Sequence, residues 1–111
     1  MNKPTRFYSN RQEKSVAKAL DGKKTANSGA TRFVKGDVTT ELFLIEAKTC
    51  MTDKQSFSIK KEWIKKNKEE AFAMNKPYSA IAFRFSPDGE DYYVIDSKLF
   101  KQLLEYLKKD I

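Results

Sequence analysis

Residues 36–48 read Gly-Asp-Val-Thr-Thr-Glu-Leu-Phe-Leu-Ile-Glu-Ala-Lys, and this stretch decides the fold. The apolar, partly β-branched run at 42–45 predicts a buried strand. Side chains on a strand alternate between two faces, so Glu46 and Lys48 point the same way. A turn at 39–41 would bring Asp37 alongside them. We therefore expect two carboxylates and one ammonium group to converge at the end of a buried strand.

This expected cluster has two interpretations. Like charges buried side by side are costly unless a cation lies between them. Carboxylate and carbonyl oxygens suit a hard divalent ion, so the first interpretation is a Mg²⁺ or Mn²⁺ site. The second is a buried structural salt bridge among Asp37, Glu46 and Lys48 that binds no ligand.

The composition narrows the class of protein. A chain of 111 residues is expected to form one domain, residues 1–111. The net charge of +7, from 22 Lys and Arg against 15 Asp and Glu, favours a polyanionic partner such as nucleic acid over a merely basic surface. One cysteine and no histidine exclude an internal disulfide, Ser-His-Asp catalysis and most zinc sites. With no signal-peptide core and no apolar run of membrane-spanning length, we expect a cytoplasmic protein with no membrane partner.

The remaining pattern predicts an α/β fold. Its elements, in chain order, are a basic irregular arm over 1–8, a helix over 10–20 ending near Gly22, strands over 32–38 and 42–47, a helix over 59–74 capped by Ser58, strands over 78–85 and 92–95 joined by a turn at 86–89, and a helix to Lys109 capped by Asp96 or Ser97. This order, α-β-β-α-β-β-α, predicts one mixed sheet flanked by helices on both faces.

The spacing Asp-x8-Glu-x-Lys at 37–48 resembles the core motif of the PD-(D/E)XK nuclease superfamily, and the element order resembles the restriction-endonuclease-like fold. Within that superfamily, residues 9–66 resemble small Holliday junction resolvases of the archaeal and phage type. The residues that carry the resemblance are Glu13, the loop Asn27-Ser28-Gly29-Ala30, Gly36-Asp37, Glu46-Ala47-Lys48 and Ser56-Phe57. Gly36 is a departure, because the superfamily's name implies proline there.

The resemblance implies a Mg²⁺- or Mn²⁺-dependent endonuclease that cleaves four-way DNA junctions in recombination and repair, acting as a homodimer. It implies that Glu13, Asp37, Glu46 and the backbone carbonyl of Ala47 form the metal site, with Lys48 as a further catalytic residue. From position alone, Glu13 is equally explained by compensation of the helix dipole. The alternatives are a general or nicking nuclease of the same superfamily and a nucleic-acid-binding module that does not cleave.

Several side chains are candidates for contacts with DNA phosphates. Lysines, hydroxyls, amides and glycine N–H groups are the usual donors to phosphate oxygens. Lysines at the start of a helix are disfavoured by its dipole unless an anion lies nearby. The candidates are Lys23, Lys24, Asn27, Ser28, Gly29, Arg32, Ser56, Lys60 and Lys61.

Overall fold

A computed structural model describes residues 5–25 and 37–109 of the chain. In these two ranges, three helices and five strands form a mixed α/β fold, which confirms the predicted class. In chain order the elements are α1 (Thr5–Ala19), β1 (Lys23–Lys24), β2 (Val38–Thr39), β3 (Phe43–Lys48), α2 (Lys61–Ala73), β4 (Tyr78–Phe83), β5 (Tyr92–Val94) and α3 (Ser97–Lys108). The short strand β1 was not predicted, so the element order differs from the expected one.

The five strands form one mixed sheet in the order β1-β2-β3-β4-β5. β3 and β4 are parallel, with Glu46 opposite Ile81 and Lys48 opposite Phe83, and the other neighbours are antiparallel. A parallel pair needs a crossover connection, which α2 supplies. The carboxyl ends of β3 and β4 therefore lie at the same edge of the sheet, and Lys48 is the last residue of β3.

The face of the sheet that meets α1 carries a small apolar core. Its buried side chains come from α1 and from three neighbouring strands, namely Val16, Val38, Ile45, Ala80 and Ala82. Removal of such side chains from water is the main favourable term in folding. This core fixes α1 against β2, β3 and β4.

The opposite face of the sheet meets α2. The buried Asn67 of α2 donates hydrogen bonds from Nδ2 to the carbonyl oxygens of Leu44 and Ala80, at 3.3 and 3.1 Å. Because side chains alternate along a strand, Leu44 and Glu46 face α2 while Ile45 faces α1. The predicted site carboxylate on β3 therefore lies on the α2 side.

The end of α1 explains why β1 forms where it does. Asp21 adopts a left-handed backbone with φ of 54°, and the N–H of Gly22 donates to the carbonyl of Ala17 at 2.8 Å. This is the usual way a helix ends, although the left-handed residue is Asp21 and not the predicted glycine. A Cβ atom on Gly22 would lie 2.6 Å from the carbonyl oxygen of Thr39. The missing side chain thus lets the chain approach β2 and begin β1.

Two predicted helix starts need correction. An irregular arm was predicted over 1–8, but residues 5–8 belong to α1, which begins at Thr5. Residues 1–4 lie outside the described ranges. The N-cap of α2 is Lys60, which makes no side-chain capping bond, so the prediction of Ser58 as the cap is wrong.

Other local predictions are confirmed. Asp96 caps α3, its Oδ1 accepting from the N–H of Leu99 at 2.8 Å. The N–H of Gly89 donates to the carbonyl of Ser86 at 3.1 Å, which closes the predicted turn. Of the strand predicted over 32–38, residues 32–36 lie outside the described ranges, and β2 begins at Val38. Among the described residues, no helix combines the length and the apolarity that crossing a bilayer requires.

Candidate functional site

Asp37 is held by three hydrogen bonds, two to the backbone of β3 and one to Thr25, which follows β1. Its N–H donates to the carbonyl of Ile45 at 3.0 Å, and its carbonyl accepts from the N–H of Thr25 at 3.0 Å. Its carboxylate Oδ2 accepts from the N–H of Ala47 at 2.7 Å. Ala47 lies between Glu46 and Lys48. The antiparallel pairing of β2 with β3 therefore delivers the Asp37 carboxylate to the Glu-x-Lys segment.

Glu46 and Lys48 point to the same face of the sheet and contact each other. Lys48 Nζ lies 3.9 Å from Glu46 Oε1. Glu46 Oε2 is buried and accepts no hydrogen bond from any described residue. A buried carboxylate oxygen without a donor is costly, so this atom is a natural place for a ligand.

Both carboxylates lie where burial disfavours their charged form. Burial raises the pKa of Asp37, and the Ala47 N–H and the charges of Lys48 and Lys24 only partly offset this. Burial likewise raises the pKa of Glu46, with the Lys48 charge opposing the shift and the nearby Asp37 carboxylate adding to it. A divalent cation between the two carboxylates would remove this penalty, because an opposite charge favours the ionised form.

A cavity of about 490 Å³ opens onto Glu46 and Lys48 from the α2 side. Its other walls come from the first turns of α2 and include Trp63, Lys65 and Lys66. The indole ring of Trp63 lies 4.4 Å below Lys48 Nζ, a cation–π contact that limits where the ammonium can go. Volumes of several hundred Å³ are typical of ligand sites. The α2 wall of this cavity carries both acidic and basic side chains, namely Glu62, Lys65, Lys66 and Glu69.

Glu13 is buried on α1 and is not grouped with Asp37 and Glu46. Lys24 Nζ lies 3.7 Å from Glu13 Oε1 and donates to Asn10 Oδ1 at 3.0 Å. Within residues 5–25 and 37–109, no three His, Cys, Asp or Glu side chains lie close enough together to bind one metal ion. The structure therefore places Glu13 beside Lys24, at the margin of the site.

Five of the nine residues predicted to contact DNA lie in the described ranges. Lys23, Ser56, Lys60 and Lys61 are exposed, and Lys60 Nζ lies 5.7 Å from the Trp63 ring. Lys24 is also exposed, but its ammonium group is occupied by Asn10 and Glu13. The other residues predicted to contact phosphates, Asn27, Ser28, Gly29 and Arg32, lie outside the described ranges.

Sequence reasoning missed Gln12, which supports the end of β3. It is 0% exposed, and its Nε2 donates to the carbonyls of Lys48 and Ala82 and to Asp91 Oδ1, at 2.9, 3.3 and 3.1 Å. The N–H of Arg84 also donates to the Lys48 carbonyl, at 3.2 Å. The available signal was that Gln12 precedes Val16 by four residues and so shares its inward-facing stripe. A buried amide there holds the backbone of Lys48 in place.

Sequence reasoning also missed the role of Trp63. The ring packs against Phe57, with centroids 6.4 Å apart, and contacts the ammonium groups of Lys48 and Lys60. Helix periodicity gives the face on which a residue lies but not the strand it meets. Only the long-range packing of α2 on β3 reveals this contact.

Comparisons with protein-family models, with curated proteins and with solved structures find no match to this chain. Its function is therefore argued from its own residues. The donor set fits a hard divalent cation, because carboxylate oxygens are the ligands such ions prefer and Glu46 Oε2 has no hydrogen-bond donor among the described residues.

Proposed function

We propose that the protein is a Mg²⁺- or Mn²⁺-dependent DNA endonuclease that cleaves four-way junctions. The observation that carries this proposal is the 2.7 Å hydrogen bond from the Ala47 N–H to Asp37 Oδ2. It sets an acid from β2 beside the Glu and Lys of β3, in the arrangement that the resemblance to PD-(D/E)XK nucleases leads one to expect. A structural salt bridge alone would leave no reason for an unbonded, buried Glu46 oxygen.

We further propose that the fold is restriction-endonuclease-like. The antiparallel pair β2–β3, the crossover through α2 and the parallel strand β4 support this assignment. The candidate site lies where β3 ends, and the carboxyl ends of parallel strands are a common place for ligand sites in α/β proteins.

In this proposal Asp37, Glu46 and the carbonyl oxygen of Ala47 hold the cation. When bound, such an ion acidifies a coordinated water and stabilises negative charge on the phosphoryl group. Glu13 and Lys24 flank this set and act on solvent or on a second ion at its margin. The protein's own contribution is a rigid backbone, since Asp37 is tied to both Ile45 and Ala47.

Lys48 supplies positive charge to the scissile phosphate. Its ammonium group lies beside the Glu46 carboxylate, and donation and charge stabilisation suit this position better than proton abstraction. Trp63 holds the ammonium group from one side, and Gln12 fixes the strand backbone through the Lys48 carbonyl. Positioning of this kind accounts for a large share of catalysis in phosphoryl transfer.

The proposed substrate is DNA because the protein carries a net charge of +7 and three lysines, together with acids of α2, line the cavity at Glu46. Phosphate contacts supply most of the affinity of such proteins for nucleic acid. Preference for a four-way junction comes from the resemblance to resolvases. Symmetric cutting of two strands requires two sites related by a twofold axis, so we propose that the active species is a homodimer.

The test is a cleavage assay on a labelled synthetic four-way junction and on linear duplex, with Mg²⁺ or with EDTA. We expect paired symmetric nicks in the junction, only with Mg²⁺. Glu46→Gln should abolish cleavage and retain junction binding, whereas Glu62→Gln, an exposed acid lining the same cavity, should leave both intact.

Each other outcome assigns a different function. Cleavage of both DNAs would replace the resolvase with a general nuclease of the same superfamily. Retardation of the junction without cleavage at any divalent ion would establish a binding module. Unfolding of Glu46→Gln, together with no cleavage by the unmodified chain, would establish the structural salt bridge.

A further inference from the structure

Helix α3 carries an apolar stripe that the described part of the chain leaves uncovered. Of the residues of α3, all of which the structure describes, Leu99 alone is buried. The helix is attached through this side chain and through its cap Asp96, whose Oδ2 lies 2.7 Å from Lys68 Nζ. The exposed apolar side chains are Phe100 (54%), Leu103 (43%), Leu104 (42%), Tyr106 (66%) and Leu107 (58%).

The stripe is as large as the largest apolar patch that a typical monomer exposes, and such patches are often functional. With roughly 200 Å² for each large side chain, these exposures amount to on the order of 500 Å². Stable interfaces bury about 800 Å² on each partner. The stripe thus supplies more than half of one side of an ordinary dimer interface.

An apolar groove continues the stripe toward the sheet. A cavity of about 370 Å³ lies between the end of α1, the sheet and α3, and Leu20, Phe43, Tyr93 and Ile95 are among its walls. Leu103 belongs both to this groove and to the stripe on α3. A convex apolar ridge and a concave apolar groove therefore adjoin on one face.

We propose that this face binds a second copy of the same chain, with each α3 lying against the α3 and the groove of its partner. A twofold interface must be self-complementary, and a ridge next to a groove of the same chemistry meets that requirement. A lipid surface would cover the ridge but leave the groove unfilled. A second copy of the chain is for this reason a better occupant of this face than a lipid surface.

The proposed interface leaves the candidate site accessible. A cavity lined by both Tyr78 and Leu99 places the start of α3 near the first residue of β4, whereas Lys48 ends the parallel neighbour β3. The interface therefore approaches the amino ends of the parallel strands and the site lies at their carboxyl ends. The interface is argued from surface chemistry and stands apart from the nuclease proposal; only its use in paired cutting rests on that proposal.

The test is sedimentation velocity of the full chain between about 1 and 100 μM, a range that brackets ordinary dimer affinities. We expect a species of twice 12.9 kDa for the unmodified chain. Leu107→Asp should raise the dissociation constant at least tenfold. Gln102→Asp adds the same charge to the exposed polar side of α3 and should leave the dimer unchanged.

Melting of the unmodified chain gives a second measurement that does not depend on how a variant folds. The melting temperature of a dimer rises with protein concentration, and that of a monomer does not. A monomer at 100 μM, a Leu107→Asp variant that dimerises normally, or a monomer that sediments with phosphatidylcholine–phosphatidylserine vesicles would overturn the proposal.

The nuclease assay separates failure of the interface from failure of the proposed function. A monomeric Leu107→Asp variant should still nick DNA with Mg²⁺ but lose paired cuts. Dimerisation without any cleavage would retain the interface and reject the enzyme.

Discussion

Replacement of Asp37 by Asn distinguishes a metal-binding acid from a structural ion pair. Asn keeps the size of the side chain, and its Oδ1 can still accept the Ala47 hydrogen bond that now measures 2.7 Å. Only the charge is lost. Because burial raises the pKa of Asp37 despite the nearby lysines, the folded protein accommodates this charge less well than water does. Neutralising it should therefore not destabilise the metal-free protein.

The sign of the effect follows from proton linkage. A carboxylate whose pKa is higher in the folded state binds its proton more tightly there. The free energy of unfolding therefore falls as the pH rises from the pKa of the unfolded state through the pKa of the folded state. Asp37→Asn removes this loss. At neutral pH without metal, the variant should be at least as stable as the unmodified protein.

The competing interpretation predicts a change of opposite sign. Breaking a buried ion pair by removing one partner typically costs about 3–5 kcal/mol. For a domain of this size that is a fall of at least about 12 °C in melting temperature. With Mg²⁺ at 100 times its dissociation constant, the unmodified protein should gain about 2.7 kcal/mol, and Asp37→Asn should gain almost none.

The assay is urea and thermal unfolding in EDTA and in a Mg²⁺ series, alongside cleavage of the junction. Asp53→Asn, at an exposed carboxylate in the loop before α2, is the control and should behave like the unmodified chain. A loss of 3 kcal/mol or more in EDTA, together with Mg²⁺ responses that are equal in variant and parent, would refute the metal site.

Three further predictions test the surroundings of the site and the attachment of α3. Gln12→Leu removes three hydrogen bonds, one of them to a carboxylate, and should cost about 3 kcal/mol in urea unfolding; an unchanged midpoint would contradict its supporting role. Trp63→Leu frees the ammonium group of Lys48 and should lower the single-turnover cleavage rate about tenfold, with Trp63→Phe retaining most of it; equal rates for all three proteins would contradict the contact. The hydrogen bond from Lys68 lowers the pKa of Asp96 in the folded protein. The ionised carboxylate therefore stabilises the fold fully above the ordinary pKa, near 4, and this stabilisation is lost as the pH falls through the lower pKa of the folded state. Asp96→Ala should therefore cost about 1 kcal/mol at pH 7 and progressively less as the pH falls below about 4, and a cost independent of pH would contradict this.

The features that sequence predicts well here are local ones. The alternation of a strand places Glu46 and Lys48 on one face whatever the rest of the chain does, and the structure has them 3.9 Å apart. Asp96 caps α3 because the capping bond spans only three residues. The short connection between β2 and β3 left Asp37 few other places to lie.

The features that sequence did not predict depend on distant contacts. β1 is two exposed lysines with no apolar pattern, and backbone pairing with Val38 and Thr39 makes it a strand. Gln12 lies 36 residues from the carbonyl that it supports. A hydrophobic pattern contains no information about a buried amide or about an ammonium group seated on a ring.

Glu13 shows how one unpredicted strand alters the interpretation of a site. Helix phase places this carboxylate on the inward side of α1, where either dipole compensation or metal binding explains it. β1 then brings Lys24 to within 3.7 Å of it, and the charge of Lys24 also acts on Asp37. Glu13 therefore communicates with the cluster through a lysine and not by direct approach. A cation bound between Asp37 and Glu46 would compete with Lys24 for the negative charge of Asp37. Lys24 would still be paired with Asn10 and Glu13.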